Sequence, residues 1–190
     1  ISILFSCTAT NPKSDLPSQD EVKALIVKVN DHWQNSNPTH GRAFWDNAAY
    51  HTGNMAAYNI TGIERYREYS EAWAEHNHWK GAKSDNKEEW HYHYGERDHF
   101  VLFGDWQICF QTYIDLYQLD PEKDLSKIKR AREVMEYQMS TPNNDYWWWA
   151  DGLYMVMPVM TKLYNVTGND LYLDKLYEYF SYAKSIMYDE

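Results

Sequence analysis

The chain has 190 residues, a length typical of one domain, and its 28 acidic against 18 basic side chains give a formal charge of −10. This acidic balance argues against nucleic acid and anionic membrane surfaces as main partners, because both select basic patches. A hydrophobic content of 44% excludes a largely disordered chain, and an aromatic content of 17% suffices both for a core and for flat platforms that bind sugar rings.

The first residues resemble the end of a lipoprotein leader and its tether. Leu4-Phe5-Ser6-Cys7 is similar to the lipobox of bacterial lipoproteins, in which the cysteine is lipidated, and a polar stretch with Pro12 and Pro17 follows. We therefore expect residues 1–19 to be a leader remnant and linker that anchors a periplasmic or outer-membrane lipoprotein through Cys7. Membrane contact is expected only through this anchor, and a trimmed N-terminus without this meaning is the alternative.

The apolar spacing of residues 20–190 predicts seven helices, and no segment has the alternation typical of a strand. We expect outer and inner helices to alternate, since the more apolar runs suit an inner layer. The predicted helices cover residues 20–34, 42–60, 63–79, 100–119, 124–140, 149–166 and 169–187, with a loop at 80–98. The predicted class is all-α.

A repeated motif marks where these helices pair into hairpins. Tyr58-Asn59-Ile60-Thr61-Gly62 matches Tyr164-Asn165-Val166-Thr167-Gly168, and a degenerate copy begins at Tyr117. Glycine accepts the left-handed conformation that follows a helix, so the motif predicts a helix end. Its Asn-x-Thr triplet also fits a glycosylation site, but recurrence at the same repeat position favours helix termination.

Three carboxylates occupy the same register near the N-terminal ends of the inner helices. Asp46 and Asp105 lie 12 residues before a repeat tyrosine, and Asp151 lies 13 before one. Each has a tryptophan nearby: Trp45, Trp106 and Trp149. Because packed helices have axes about 8–10 Å apart, inward carboxylates at one level can approach each other.

The environment of the Asp105–Asp151 pair suits proton transfer. Loss of hydration among tryptophans and repulsion between two acids both raise one pKa of the pair, which prepares a proton donor near neutral pH, while the helix N-terminus favours the anion. Alternatively, both carboxylates satisfy backbone donors at helix N-termini. The spacing alone leaves both interpretations open.

The block Trp149-Ala150-Asp151-Gly152-Leu153-Tyr154-Met155, followed by Pro158, resembles glycoside hydrolase family 105. These are the unsaturated rhamnogalacturonyl hydrolases, related to the family 88 unsaturated glucuronyl hydrolases. The resemblance spans about residues 40–187 and includes the Thr-Gly repeats and Asp105. It implies an (α/α)6 barrel of six hairpins, of which residues 20–190 would form about half, with the C-terminal part missing.

The resemblance also implies an activity and the residues that perform it. The family hydrates the C4=C5 double bond of a Δ4,5-unsaturated uronic acid, which polysaccharide lyases leave at the non-reducing end of oligosaccharides from pectin or a related anionic polysaccharide. Asp151 would be the general acid/base, Asp105 the second acid, and Trp149 part of the sugar subsite, with no metal or cofactor. From their register we also expect Trp45, Asp46 and Trp106 to bind substrate.

Other functions are possible for the same residues. A helical-repeat protein that binds carbohydrate without catalysis would use the same tryptophan-lined cavity. Metal binding is disfavoured, because the His-x-His pairs at 76–78 and 91–93 do not place both imidazoles on one helix face and no cysteine joins them. The loop of residues 81–96, which contains Trp90, Tyr92 and Tyr94, is a candidate for the substrate entrance.

Overall fold

The computed structural model describes residues 16–188. It contains seven α-helices, and no strand occurs within this range. The helices are α1 (Gln19–Ser36), α2 (Trp45–Thr61), α3 (Glu64–His76), α4 (Cys109–Leu119), α5 (Ser126–Ser140), α6 (Ala150–Thr167) and α7 (Leu171–Met187). The predicted all-α class and its repeated hairpins are confirmed.

The helices form two layers. α2, α4 and α6 lie side by side in an inner layer, and α1, α3, α5 and α7 pack behind them. α4 is the central helix, with α2 and α6 on its two sides and α3 and α5 behind it. Antiparallel hairpins of this kind place the N-terminal ends of all three inner helices at one edge of the layer.

The two edges of the layer differ in how the chain crosses them. At the edge where the inner helices begin, which we call the upper edge, the connections are residues 37–44, 77–108 and 141–149. At the opposite, lower edge the connections are only residues 62–63, 120–125 and 168–170. The lower edge therefore holds compact joints, whereas the upper edge carries the long loops that surround the site.

Two of the lower joints have the same geometry. Gly62 and Gly168 adopt φ angles of 69° and 68°, in the left-handed region. Their backbone N–H groups donate to the carbonyl oxygens of Tyr58 and Tyr164, each over 2.7 Å. The repeated motif is thus a helix C-terminus in both copies, as its sequence predicts.

The structure corrects the start of the predicted helix at residues 100–119. The α-helix begins only at Cys109, and a 3-10 turn, Gly104–Trp106, precedes it. This turn packs tightly on α6, since a Cβ atom at Gly104 would lie 3.0 Å from the indole of Trp149. The side-chain amide of Gln107 donates to the carbonyl oxygen of Val101 over 3.1 Å and so ties the turn to the residues before it. Asp105 therefore lies on a turn rather than on an inner helix.

The long upper loop packs against this turn at Gly81. A Cβ atom at Gly81 would lie 1.8 Å from the carbonyl oxygen of Trp106, so only glycine allows this approach. The thiol of Cys109 donates to the same oxygen over 3.2 Å. Cys109 is buried, and burial raises the pKa of its thiol.

The membrane-anchor prediction concerns a different part of the chain. Cys7 lies outside the described residues, so its lipidation stays a prediction. Within residues 16–188, none of the helices combines the length and the apolarity needed to cross a bilayer.

Candidate functional site

A cavity of about 300 Å³ opens at the upper edge of the inner layer. Its size lies at the lower end of the range for small-molecule sites. Two carboxylates face it together with mostly aromatic side chains, and no Lys, Arg or His is among its lining residues in the described part of the chain. The lining residues are Trp45, Tyr94, Phe103, Asp105, Trp148, Trp149, Asp151 and Met155.

Asp105 forms the buried part of this carboxylate pair. Its side chain is on the 3-10 turn and the residue is only 4% exposed. Burial raises the pKa of Asp105 to about 6, and the negative charge of Asp151 contributes in the same direction. The two acids are therefore close enough to influence each other, and Asp105 keeps its proton to a higher pH than an ordinary aspartate.

Asp151 is the accessible member of the pair. It lies in the first turn of α6 and is exposed at the cavity. Within residues 16–188, no side chain caps α6 or the 3-10 turn, and no backbone donor contributes to the pKa shift of Asp105. The alternative in which both acids serve as helix caps therefore has no support in the hydrogen bonding.

The indole of Trp149 separates the backbones that carry the two acids. A Cβ atom at Gly104, before Asp105, would lie 3.0 Å from this ring, and one at Gly152, after Asp151, would lie 3.3 Å from it. The ring of Phe103 packs on the indole with centroids 4.8 Å apart. Trp149 is thus both a wall of the cavity and a spacer between the turn and α6.

Three exposed aromatic rings border the cavity: Trp45, Tyr94 and Trp148. They come from the start of α2, from the long upper loop and from the residues before α6. Rings that stay exposed around a cavity offer flat apolar faces to a ligand, and sugar rings have matching faces.

Asp46 does not line the cavity, although its register predicts that it would. Its carboxylate pairs with Arg42 at 3.2 Å, and Arg42 also pairs with Glu96 of the upper loop. Arg42 lies in the connection just before α2 and Asp46 in the first turn of that helix, so the two side chains meet at the start of α2. Asp46 fastens the loop beside the cavity instead of facing the substrate position.

Trp106 also lies outside the lining, because the 3-10 turn directs it away from the cavity. It is 6% exposed and packs on Phe44, with ring centroids 4.6 Å apart. Its Nε1–H donates to the carbonyl oxygen of Gly95 over 3.2 Å. Of the predicted site residues, the structure therefore brings together Asp105, Asp151, Trp149 and Trp45, but not Asp46 or Trp106.

The comparison with protein families decides where this chain belongs. The family Glycosyl Hydrolase Family 88 matches residues 18–190, which is nearly the whole chain. The chain is a member of glycosyl hydrolase family 88. The predicted relation to family 88 is thereby confirmed.

Two solved structures are similar to this chain, and one of them is described as a family 88 protein. A structure described as Polysaccharide Lyase BACCELL_00875 is 71% identical, has a TM-score of 0.87, and is matched over 90% of this chain and 48% of its own. A glycosyl hydrolase family 88 protein from Bacteroides vulgatus is 57% identical, has a TM-score of 0.88, and is matched over 91% of this chain and 49% of its own. The chain spans about half the length of either structure. No curated protein matches it.

Four lining residues of this family 88 chain were not predicted as site residues from the sequence: Tyr94, Phe103, Trp148 and Met155. Tyr94 belongs to the loop expected to shape the entrance, whereas Trp90 of that loop is buried and Tyr92 donates to Asp145 over 3.1 Å. A signal for Trp148 was present in the Trp147-Trp148-Trp149 run. Within residues 16–188, no three His, Cys, Asp or Glu side chains form a group that could hold a metal.

Proposed function

We propose that the full-length protein removes a Δ4,5-unsaturated uronic acid from the non-reducing end of oligosaccharides that polysaccharide lyases release. The reaction is a hydration of the C4=C5 double bond by acid/base catalysis. Its substrates are expected to derive from pectin or a related anionic polysaccharide.

The observation that carries the proposal is the pairing of Asp105 with Asp151 in one aromatic-walled cavity. Asp105 holds a proton to about pH 6 because it is buried and lies near Asp151. Asp151 is accessible from the cavity. Such a pair can supply a proton and accept one, which is what a hydration requires. Membership in a family of glycosyl hydrolases supports the same conclusion.

The proposed reaction consists of a protonation, an addition of water and the opening of a hemiketal. The proton that Asp105 holds in the free protein passes to Asp151, and Asp151 donates it to C4 of the double bond. A water molecule then adds at C5 and returns one of its protons to the pair. The product is a hemiketal at C5, which opens and releases the next sugar. The bond to the anomeric carbon is not displaced, so the separation rule for retaining and inverting carboxylates does not apply. In this scheme Asp105 holds the proton of the pair between turnovers.

The unsaturated uronide provides the assay, because its conjugated double bond absorbs ultraviolet light and hydration removes that absorbance. We expect the full-length protein to consume the absorbance and Asp151→Asn to lower the rate by about 10²–10⁴-fold. Asp174→Asn is the matched control, since Asp174 is exposed on α7 in the outer layer. An Asp151→Asn variant with near-normal rate and intact folding would refute the assignment.

The same assay separates two other activities. A lyase forms the C4=C5 bond and would increase the absorbance of an intact polysaccharide, whereas the proposed hydrolase decreases that of its oligosaccharides. The exposed rings of Trp45, Tyr94 and Trp148 would also suit a protein that binds carbohydrate without catalysis. Binding of the oligosaccharide with unchanged absorbance would favour that second candidate.

The sugar next to the unsaturated residue distinguishes the rhamnogalacturonyl type from the glucuronyl type. We propose that this family 88 chain acts on substrates of the rhamnogalacturonyl type, because the residues around Asp151 resemble family 105, whose members have that activity. A comparison of kcat/KM for unsaturated disaccharides ending in rhamnose and in an amino sugar tests this choice, and a preference for the amino sugar would contradict it.

A further inference from the structure

Helix α6 contains a proline about two turns after Asp151. Pro158 lies inside Ala150–Thr167 and has no backbone N–H. In a regular α-helix, the N–H of residue 158 would bond to the carbonyl oxygen of Tyr154, four residues earlier. That oxygen therefore needs another donor, since an unpaired backbone carbonyl in a packed layer is costly.

The missing donor comes from α4. The side-chain amide of Gln111 donates to the carbonyl oxygen of Tyr154 over 2.9 Å and to that of Met155 over 2.9 Å. Gln111 is only 5% exposed, so its amide has little access to water and depends on these partners. The glutamine thus fills the place of the N–H that Pro158 lacks.

This contact joins the two segments that carry the carboxylate pair. Gln111 lies in the first turn of α4, directly after the turn with Asp105. The carbonyl groups that it binds lie one turn after Asp151 on α6. The amide therefore fixes the distance between α4 and α6 on the C-terminal side of Asp151. The Trp149 indole lies on the N-terminal side of Asp151, where it separates α6 from the 3-10 turn.

We propose that Gln111 is a positioning residue that holds Asp151 against Asp105 by supplying the hydrogen bonds that Pro158 removes from α6. This inference rests on the proposed function for its catalytic consequence, while the hydrogen bonds themselves do not depend on any activity. Gln111 does not line the cavity, so its effect on substrate binding is expected to be small.

A double-mutant cycle in the full-length protein tests the proposal. Gln111→Met keeps the length of the side chain but removes both donors, and Pro158→Ala returns an N–H to α6. We expect Gln111→Met to lower kcat by about 10–100-fold, because small displacements of a catalytic group are costly, with KM changed by less than about twofold. In the Pro158→Ala background the same substitution should lower kcat by less than about threefold. Gln118→Met, at an exposed position near the end of α4, is the matched control.

Thermal unfolding of the same four proteins gives a readout that needs no activity. Gln111→Met is expected to lower Tm by about 2–6 °C in the wild-type background, where Pro158 is present. In the Pro158→Ala background we expect the loss of Tm to be less than half as large. Equal losses in the two backgrounds would overturn the proposal. An active wild type with an unchanged kcat in Gln111→Met would overturn it as well. A wild type that does not act on unsaturated uronides refutes the proposed function. The Tm values of the four proteins then still show whether Gln111 replaces the hydrogen bond that Pro158 removes.

Discussion

At the scale of single residues, burial separates the two acids of the cavity. Asp105 is buried on its turn, whereas Asp151 is exposed at the mouth, although their register in the repeat is nearly the same. Burial raises the pKa of Asp105 to about 6 and the charge of Asp151 adds to this. Asp105 is therefore a residue whose ionisation opposes folding.

We expect Asp105→Asn to raise the free energy of unfolding by about 1–2 kcal/mol at pH 8, because one pKa unit corresponds to about 1.4 kcal/mol. The folded state holds a proton on Asp105 up to about pH 6, whereas the unfolded chain releases it near 3.8. The free energy of unfolding therefore falls as the pH rises from about 3.8 through about 6. Asparagine at this position does not ionise, so the variant does not show this fall. Urea unfolding at a series of pH values measures it. A gain at pH 4 as large as that at pH 8 would contradict the explanation.

The same proton should appear in the kinetics. The hydration needs one proton on the pair, and Asp105 releases it near pH 6 in the free enzyme. We therefore expect kcat/KM on unsaturated uronides to fall above about pH 6, because this parameter reports the ionisation of the free enzyme. Asp174→Asn should leave this pH profile unchanged. A rate that is constant from pH 5 to pH 8 would show that the proton of the pair is not used.

The sequence predicts some of these residues and misses others for a physical reason. Register alone brings Asp105 and Asp151 to one cavity, since the repeat fixes their height on neighbouring segments. It cannot predict the direction of Trp106, because the 3-10 turn rotates the residues before α4 away from helical positions. The ion pair of Asp46 with Arg42 has an i, i+4 spacing in the sequence, although Arg42 precedes α2.

At the scale of elements, glycine has opposite effects in the interior of α2 and directly after its last residue. Gly62 ends the helix with a φ angle of 69°, whereas Gly53 lies in its interior, where an added Cβ atom meets nothing within 4 Å. We expect Gly62→Ala to lower the free energy of unfolding by about 1–2 kcal/mol, the cost of a left-handed alanine. Gly53→Ala should raise it by about 0.5–1 kcal/mol.

Chemical denaturation of both variants and the wild type provides the measurement. The two substitutions add the same methyl group, one within α2 and one directly after it, so each is the control for the other. Changes of the same sign would contradict the assignment of Gly62 as the helix-terminating residue.

The boundaries of the elements follow from the sequence where capping chemistry determines them. The Thr-Gly motif marks the ends of α2 and α6 because glycine is favoured in the left-handed conformation. The apolar residues before α4 have no such marker. Their spacing therefore predicts a continuous helix, whereas the structure forms the 3-10 turn Gly104–Trp106. The apolar periodicity of the sequence does not single out Gln111. Only the missing N–H of Pro158 indicates that the carbonyl oxygen of Tyr154 needs another donor.

At the scale of the whole molecule, the two-layer packing concentrates burial in one helix. α4 is surrounded by α2, α3, α5 and α6, whereas α1 packs mainly on α2 and exposes apolar side chains such as Leu25 and Val29. We expect the amides of α4 to exchange hydrogen slowest and those of α1 to exchange much faster, because local opening depends on buried contacts.

Hydrogen–deuterium exchange of the full-length protein, resolved by peptide, checks this order. The peptides of α2 and α6 are internal references, since both belong to the inner layer with α4. Protection of α1 equal to that of α4 would contradict the expected order.

The difference between the two edges of the layer has a consequence for the cavity. The lower joints satisfy their own backbone groups within a few residues, as Gly62 and Gly168 show, so they maintain the hairpin spacing independently of the ligand. The long connections at 77–108 and 141–149 carry Tyr94 and Trp148, so substitutions in them change the lining of the cavity. The shape of the cavity can therefore change at one rim while the joints at the other keep the helices paired.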